Sequence, residues 1–175
     1  MKFSKLVEAF ETYTGVVGEI DDAELAIWFN EAQLDLALDF GTIKTALVQP
    51  DENGVATLPA DSLKLLDCDA AYGWNAAGQL AVGTTDPISV TYRAMPSREF
   101  LGDDPDQVPE LPSPLHYLLA IFAAARYWDR ESEGDTEEMN LANKWMATYN
   151  TAKRDFIGKL NQAGAFVDRW IVEDY

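Results

Sequence analysis

Residues 113–131, SPLHYLLAIFAAARYWDRE, and residues 135–161, DTEEMNLANKWMATYNTAKRDFIGKLN, read as two helices folded against each other. Ser113 suits an N-cap, and Pro114 follows it where a missing backbone N–H costs nothing. Leu115, Leu118, Leu119, Phe122 and Ala125 then keep the three-and-four spacing of a buried helix face. Gly134 breaks the pattern, and Asp135 restarts it with Glu138 at capping-box spacing. The second helix is expected to bury Ala142, Trp145, Met146, Tyr149, Ala152, Phe156 and Leu160. Its other faces carry Lys144, Asn150, Lys153, Arg154, Asp155 and Lys159. So short a linker predicts antiparallel neighbours. Neither helix carries a catalytic constellation, and the pair reads as a scaffold.

Upstream, residues 2–14 predict a short helix burying Phe3, Leu6, Phe10 and Tyr13, ended by Gly15 and Gly18. The stretch DDAELAIWFNEAQLDLALDF, residues 21–40, predicts a longer helix, acidic at its start and stopped by Gly41. It carries two apolar stripes. Leu25, Trp28, Phe29, Ala32 and Leu36 form one; Ile27, Leu34 and Leu38 form the other, with Glu24, Glu31, Asp35 and Asp39 between them. A surface helix needs one buried stripe, so two imply either a central helix or one that also packs on a neighbouring chain. Ile27, Leu34 and Leu38 are therefore candidate subunit-interface residues.

Residues 42–95 have β texture. Residues 43–49 and 55–58 flank the turn PDENG and predict a hairpin, and residues 64–72, 79–82 and 88–94 predict further strands. Residues 64–72 also fit a helix. Helices are expected to cover so small a sheet. Residues 96–112, with four prolines and Asp103, Asp104 and Asp106, read as a loop. Residues 162–175 are too apolar for a free tail: Phe166, Val167, Trp170, Ile171 and Tyr175 either fold back or dock on another chain. The resulting expectation is an α+β, mainly helical fold: an antiparallel helix bundle built on a long two-helix hairpin, with a small inserted antiparallel β element. One domain is expected over residues 1–161, with helices at about 2–14, 22–39, 114–131 and 136–161.

Thirty acidic against 13 basic residues leave a net charge of −17. Residues 1–60, 61–112 and 113–175 contribute −8, −6 and −3, so the acidity lies mostly ahead of the helical hairpin. Such a surface repels free nucleic acid, which argues against a sequence-reading binder. It suits a soluble acidic protein, a partner with basic patches, or a wall past which DNA slides without adhering. The lone Cys68 excludes an internal disulfide framework and a cysteine zinc site. Glu8 and Glu11 interrupt the N-terminal stretch where a signal peptide needs an apolar run, and no stretch is long and apolar enough to span a bilayer, so synthesis in the cytoplasm and no membrane association are expected.

Candidate chemistry is sparse. His116, the sole histidine, excludes a histidine metal cluster and fits a structural role better than a general base. Asp67 and Asp69 have the spacing of a cation-holding pair but lack a third ligand, and Asp103, Asp104 and Asp106 lack the calcium-loop pattern. No phosphate-cradling glycine loop, nucleophile elbow or dinucleotide fingerprint occurs. Lys144, Lys153, Arg154 and Lys159 present either a solvated face or one that meets phosphate or a neighbour's acids. No catalytic, cofactor-binding or metal-binding residue is assigned, no cofactor is expected, and the chain does not read as an enzyme.

Taken together, three stretches resemble the head-to-tail connector (adaptor, or head-completion) proteins of tailed bacteriophages. They are DDAELAIWFNEAQLDLALDF, then LPADSLKLLD leading to ISVTYRAMP, and the proline-led helix LPSPLHYLLAIFAAARYWDRE followed by GDTEEMNLANKWMATYNTAKRDFIGKL. The resemblance covers about residues 20–160 and rests on architecture and texture. It implies a structural virion protein, assembled with copies of itself into a ring that is often a dodecamer among relatives. The ring binds the portal, meets a downstream tail or tail-completion protein, and extends the channel through which packaged DNA passes without sequence-specific binding. It implies a place at the head–tail junction of the virion, after synthesis in the host bacterial cytoplasm, with the tail residues Phe166, Val167, Trp170, Ile171 and Tyr175 docking on the portal. An acidic DNA mimic that inhibits a nucleic-acid-binding host enzyme is the alternative, and a small cytoplasmic enzyme a third.

Overall fold

The computed structural model describes residues 1–162, the side chains of residues 160–162 excepted. The expected docking residues Phe166, Val167, Trp170, Ile171 and Tyr175, and the side chain of Leu160, lie outside this range. The chain forms two compact units, one of Met1–Leu36 with residues 96–162, the other Ala37–Met95.

The first unit holds four helices: α1 (Phe3–Thr14), α2 (Asp22–Phe40, whose last turn belongs to the second unit), α3 (His116–Glu131) and α4 (Thr136–Gln162). Helix α3 is the enclosed one. Leu118, Leu119, Ala120, Ala123 and Ala124 are wholly buried, and Ile121, Ala125 and Tyr127 nearly so. A helix segment apolar on several sides must be packed on several sides, and its alanines let neighbouring backbones approach closely. Aromatic pairs join the helices: Phe10 meets Trp28 of α2 and Tyr127 of α3, Phe3 meets Phe29, Tyr13 meets Trp145, and Phe122 meets Tyr149. Each such pair adds about 0.5–1.5 kcal/mol beyond the burial of its area.

Helix starts differ from the expectation at α3 and, in part, at α4. Ser113 does not cap α3. Ser113–Leu115 form a 3-10 turn in which the Leu115 N–H donates to the Pro112 carbonyl at 2.9 Å, and α3 follows from His116 with no side-chain cap. The backbone of the turn does the work assigned to the serine hydroxyl. At α4 the expectation is met in half. The Asp135 carboxylate accepts the Glu137 N–H at 2.7 Å, but the Asp135 N–H goes to the Ser132 carbonyl rather than to Glu138. Gly134 takes φ +96°, a left-handed conformation that suits glycine.

The second unit overturns the expectation of a helix bundle with one small β element. Six strands, β1 (Ile43–Val48), β2 (Val55–Ala56), β3 (Ser62–Cys68), β4 (Tyr72–Trp74), β5 (Leu80–Val82) and β6 (Ile88–Ala94), make two three-stranded antiparallel sheets, ordered β1-β6-β3 and β2-β5-β4. With about 47% helix and 18% strand the fold is α+β in its own right. Residues 64–72, which by sequence also fit a helix, are not one strand: residues 64–68 lie in β3 and Tyr72 opens β4.

The expected hairpin across PDENG does not form either. β1 pairs with β6 and β2 with β5. The cause is local. One carboxylate oxygen of Asp51 accepts the Asn53 and Val55 N–H groups at 2.9 and 2.8 Å, and Gly54 at φ +72° gives its carbonyl to the Val82 N–H. These bonds hold the turn and steer β2 to β5. The two sheets then cover each other: Val48, Ala56, Leu80, Val82, Ile88, Val90, Tyr92 and Ala94 form one apolar core. The period-two pattern of β6 is clean, with Ile88, Val90, Tyr92 and Ala94 buried and the residues between them half-exposed.

At the end of this unit Asp61 accepts the Tyr92 hydroxyl at 3.0 Å and pairs with Lys44 at 2.9 Å. The hydrogen bond from Lys44, aided by that from Tyr92, holds its carboxyl below the ordinary range. Folding therefore favours the ionised form. Its contribution is complete above the ordinary carboxylate pKa of about 3.9 and is lost as pH falls through the lowered folded value. Asp61→Asn is expected to lower the urea midpoint at pH 7, with the difference shrinking from about pH 4 downward and vanishing once pH is below the lowered folded value. Gly54→Ala places a Cβ 2.5 Å from the Val82 carbonyl oxygen in a left-handed conformation. It is expected to cost roughly 2 kcal/mol or more, read from the same urea curves.

Candidate interaction surface on helix α2

Helix α2 buries Leu25, Trp28, Phe29, Ala32 and Leu36, the first of its two stripes. The other stripe is open to solvent: Ile27, Leu34 and Leu38 keep 58%, 43% and 41% of their surface exposed. The carboxylates expected between the stripes are not simply solvated. Glu24 pairs with Arg130 at 2.5 Å, Glu31 with Arg126 at 2.9 Å and Asp35 with Lys153 at 2.9 Å. The Tyr149 hydroxyl also donates to Asp35, at 2.6 Å. One edge of α2 is thus tied to α3 and α4. Lys153, placed by sequence on an outer face, is an internal partner because its long stem crosses to α2.

Loop 96–112 secures the opposite edge. The Asn30 side chain accepts the Phe100 N–H and donates to the Phe100 carbonyl, both at 2.8 Å. Buried Gln33 donates to the Arg98 carbonyl at 3.3 Å and accepts the Glu110 N–H at 2.9 Å. Two amides thus satisfy backbone groups that have no strand or helix partner. Phe100 is buried against Phe3 and Phe29. Gly102, at φ +84°, lies so close to α2 that a Cβ there would sit 2.7 Å from the Asp22 backbone. The loop is a strap along α2, and it also gives the Gln107 and Pro105 carbonyls to the first N–H groups of α1.

At 100° per residue, Ile27 and Leu34 fall between the amide edge and the carboxylate edge. They form a bordered apolar strip, with exposed Leu101 on the strap. Asn30 and Gln33 are the residues that sequence reasoning missed. The available signal was a pair of amides at positions 30 and 33, within a helix that is apolar on two sides.

The other candidate groups serve structure. His116 is buried at 3% exposure, and its Nε2–H donates to the Leu111 carbonyl at 2.7 Å. Burial holds its pKa below the ordinary value, so the ring is neutral at pH 7. Asp67 accepts the Cys68 N–H and Asp69 the Ser89 N–H, both at 2.9 Å. Asp104 accepts the Asp106 N–H at 3.0 Å, and Asp106 pairs with Lys2 at 2.8 Å. Among the described residues no group of three acidic, histidine or cysteine side chains converges on a metal-sized site. A cleft of about 230 Å³ in the second unit is lined by Ala56, Thr57, Leu58, Trp74, Gly78, Gln79 and Leu80, which offer no titratable side chain. Among the described residues no helix is long and apolar enough to cross a membrane.

The stripes predict opposite responses to substitution. Ile27→Glu and Leu34→Glu are expected to change stability by less than about 0.5 kcal/mol. Leu36→Ala, at a wholly buried position, is expected to cost roughly 2–5 kcal/mol. Urea denaturation followed by circular dichroism checks both. No model of a known protein family matches the chain, and no curated protein matches it in sequence.

Proposed function

We propose that this chain is a structural subunit of a bacteriophage virion, forming a ring that joins the portal of the head to the tail and extends the DNA channel. The observation that carries the reading is the open apolar stripe of Ile27, Leu34 and Leu38 on a helix whose other side is buried. Three large aliphatic side chains at helical spacing suit burial by a neighbour, and head-to-tail contacts between identical subunits close into rings. The net charge of −17 supports a conduit, since a negative wall repels DNA moving past it. The resemblance of residues 20–160 to connector proteins supplies the partners: the portal, further copies of the chain, and a tail or tail-completion protein. The apolar residues Phe166, Val167, Trp170, Ile171 and Tyr175 are the proposed portal-docking segment. No catalytic role or cofactor belongs to this reading.

The DNA-mimic alternative needs carboxylates free to stand in for phosphates. Glu24, Glu31, Asp35, Asp61 and Asp106 are instead held in ion pairs within the chain, which weighs against it.

The test is binding of the purified chain to portal rings, or to DNA-filled tailless heads, read by co-sedimentation and negative-stain images. A ring of added density at the portal vertex is the expected result. Absence of binding across a range of salt concentrations overturns the reading. Removal of residues 166–175 is expected to abolish binding and leave the circular dichroism spectrum native.

A further inference from the structure

From Glu24 onward, the exposed positions of α2 are Ile27, Glu31, Leu34 and Leu38. Their 4-3-4 spacing is the repeat along which one helix packs on another. The helix contains five acidic residues and no basic one. Helix α4 is basic beyond its acidic first turn: from Met139 onward it carries Lys144, Lys153, Arg154 and Lys159 against Asp155 alone. Its exposed positions include Lys144, Ala147, Thr151 and Arg154, a 3-4-3 stripe with small residues at the centre and a cation at each end. Neither Lys144 nor Arg154 is in an ion pair among the described residues. Arg126 contacts Glu31 through Oε2, which leaves Oε1 to a second cation.

We propose that α2 of one copy packs on α4 of the next, with Ile27 and Leu34 seated against Ala147 and Thr151 and Glu31 facing Lys144 and Arg154. The small side chains of α4 admit the large ones of α2, and the end cations meet an acidic helix. Pairing α2 with α2 across a two-fold axis sets five acids against five, which like-charge repulsion opposes. Contact between different surfaces is heterologous and propagates from copy to copy. The inference rests on the ring reading for its closure.

The test uses full-length chains carrying Cys68→Ser, one population with Leu34→Cys and another with Ala147→Cys or Thr151→Cys. They are mixed at high concentration under mild oxidation and run on a non-reducing gel. A covalent dimer that forms only in the mixture is the expected result. No mixed disulfide, or a Leu34→Cys chain that cross-links to itself, overturns the pairing. Light scattering of the parent chain separates the two proposals. Oligomers without the mixed disulfide remove the pairing and leave the ring; a mixed disulfide in chains that do not bind portal rings removes the connector reading and leaves the pairing. Glu31→Lys is expected to weaken self-association roughly tenfold, and Lys144→Glu with Arg154→Glu in the same chain to restore it. Equal weakening without restoration overturns the assignment of the facing cations.

Discussion

The middle of helix α3, from Leu118 to Tyr127, is buried on several sides, and much of the first unit follows from that. Leu118, Leu119, Ala120, Ala123 and Ala124 lie on several sides of one helix and are all wholly buried. Its neighbours reach it by different chemistry. Helix α1 sends Phe10 to Tyr127, α4 sends Tyr149 to Phe122, and α2 holds Arg126 and Arg130 through Glu31 and Glu24. These ion pairs are close to 40% exposed, so each is worth at most about 1 kcal/mol. They orient α2 more than they stabilise it. Arg130 also stacks over Trp28 and Tyr127, which fixes the position of its guanidinium.

With one edge of α2 held by these cations and the other by the strap, only a narrow line of the helix remains outward. That line is apolar at Ile27, Leu34 and Leu38. The strap has its own logic. Its backbone has no ladder to join, and Asn30, Gln33 and the first turn of α1 supply the missing donors and acceptors. A loop bonded in this way behaves as part of the unit, although its prolines and aspartates read as a linker.

The negative charge of the chain is unevenly available. Several carboxylates are committed to bonds within the fold, as with Asp51 in its turn and Asp61 between Lys44 and Tyr92. Others, such as Glu19, Asp22, Glu52 and Asp103, are on exposed positions and set the long-range field. Local acid pairs therefore say little about chemistry, while the overall sign constrains which surfaces approach one another.

Local pattern determined the four helices and the alternation of β6. A 3.6-residue or two-residue apolar period reports directly which side of an element is buried, and both signals are strong here, at Leu115, Leu118 and Leu119 and again at Ile88, Val90 and Tyr92. The two stripes of α2 were equally plain, and so was the choice they left between a central helix and one with a second partner. Tertiary structure decided the rest. It set β1 against β6 and β2 against β5, because strand partners are chosen by long-range register and by the Asp51 turn rather than by adjacency in the chain. It enclosed α3 and left the second stripe of α2 open. It also turned Asn30, Gln33 and Lys153 into ties between distant segments, since a polar side chain in a helix does not disclose its partner until the backbone groups and charges around it have been brought together.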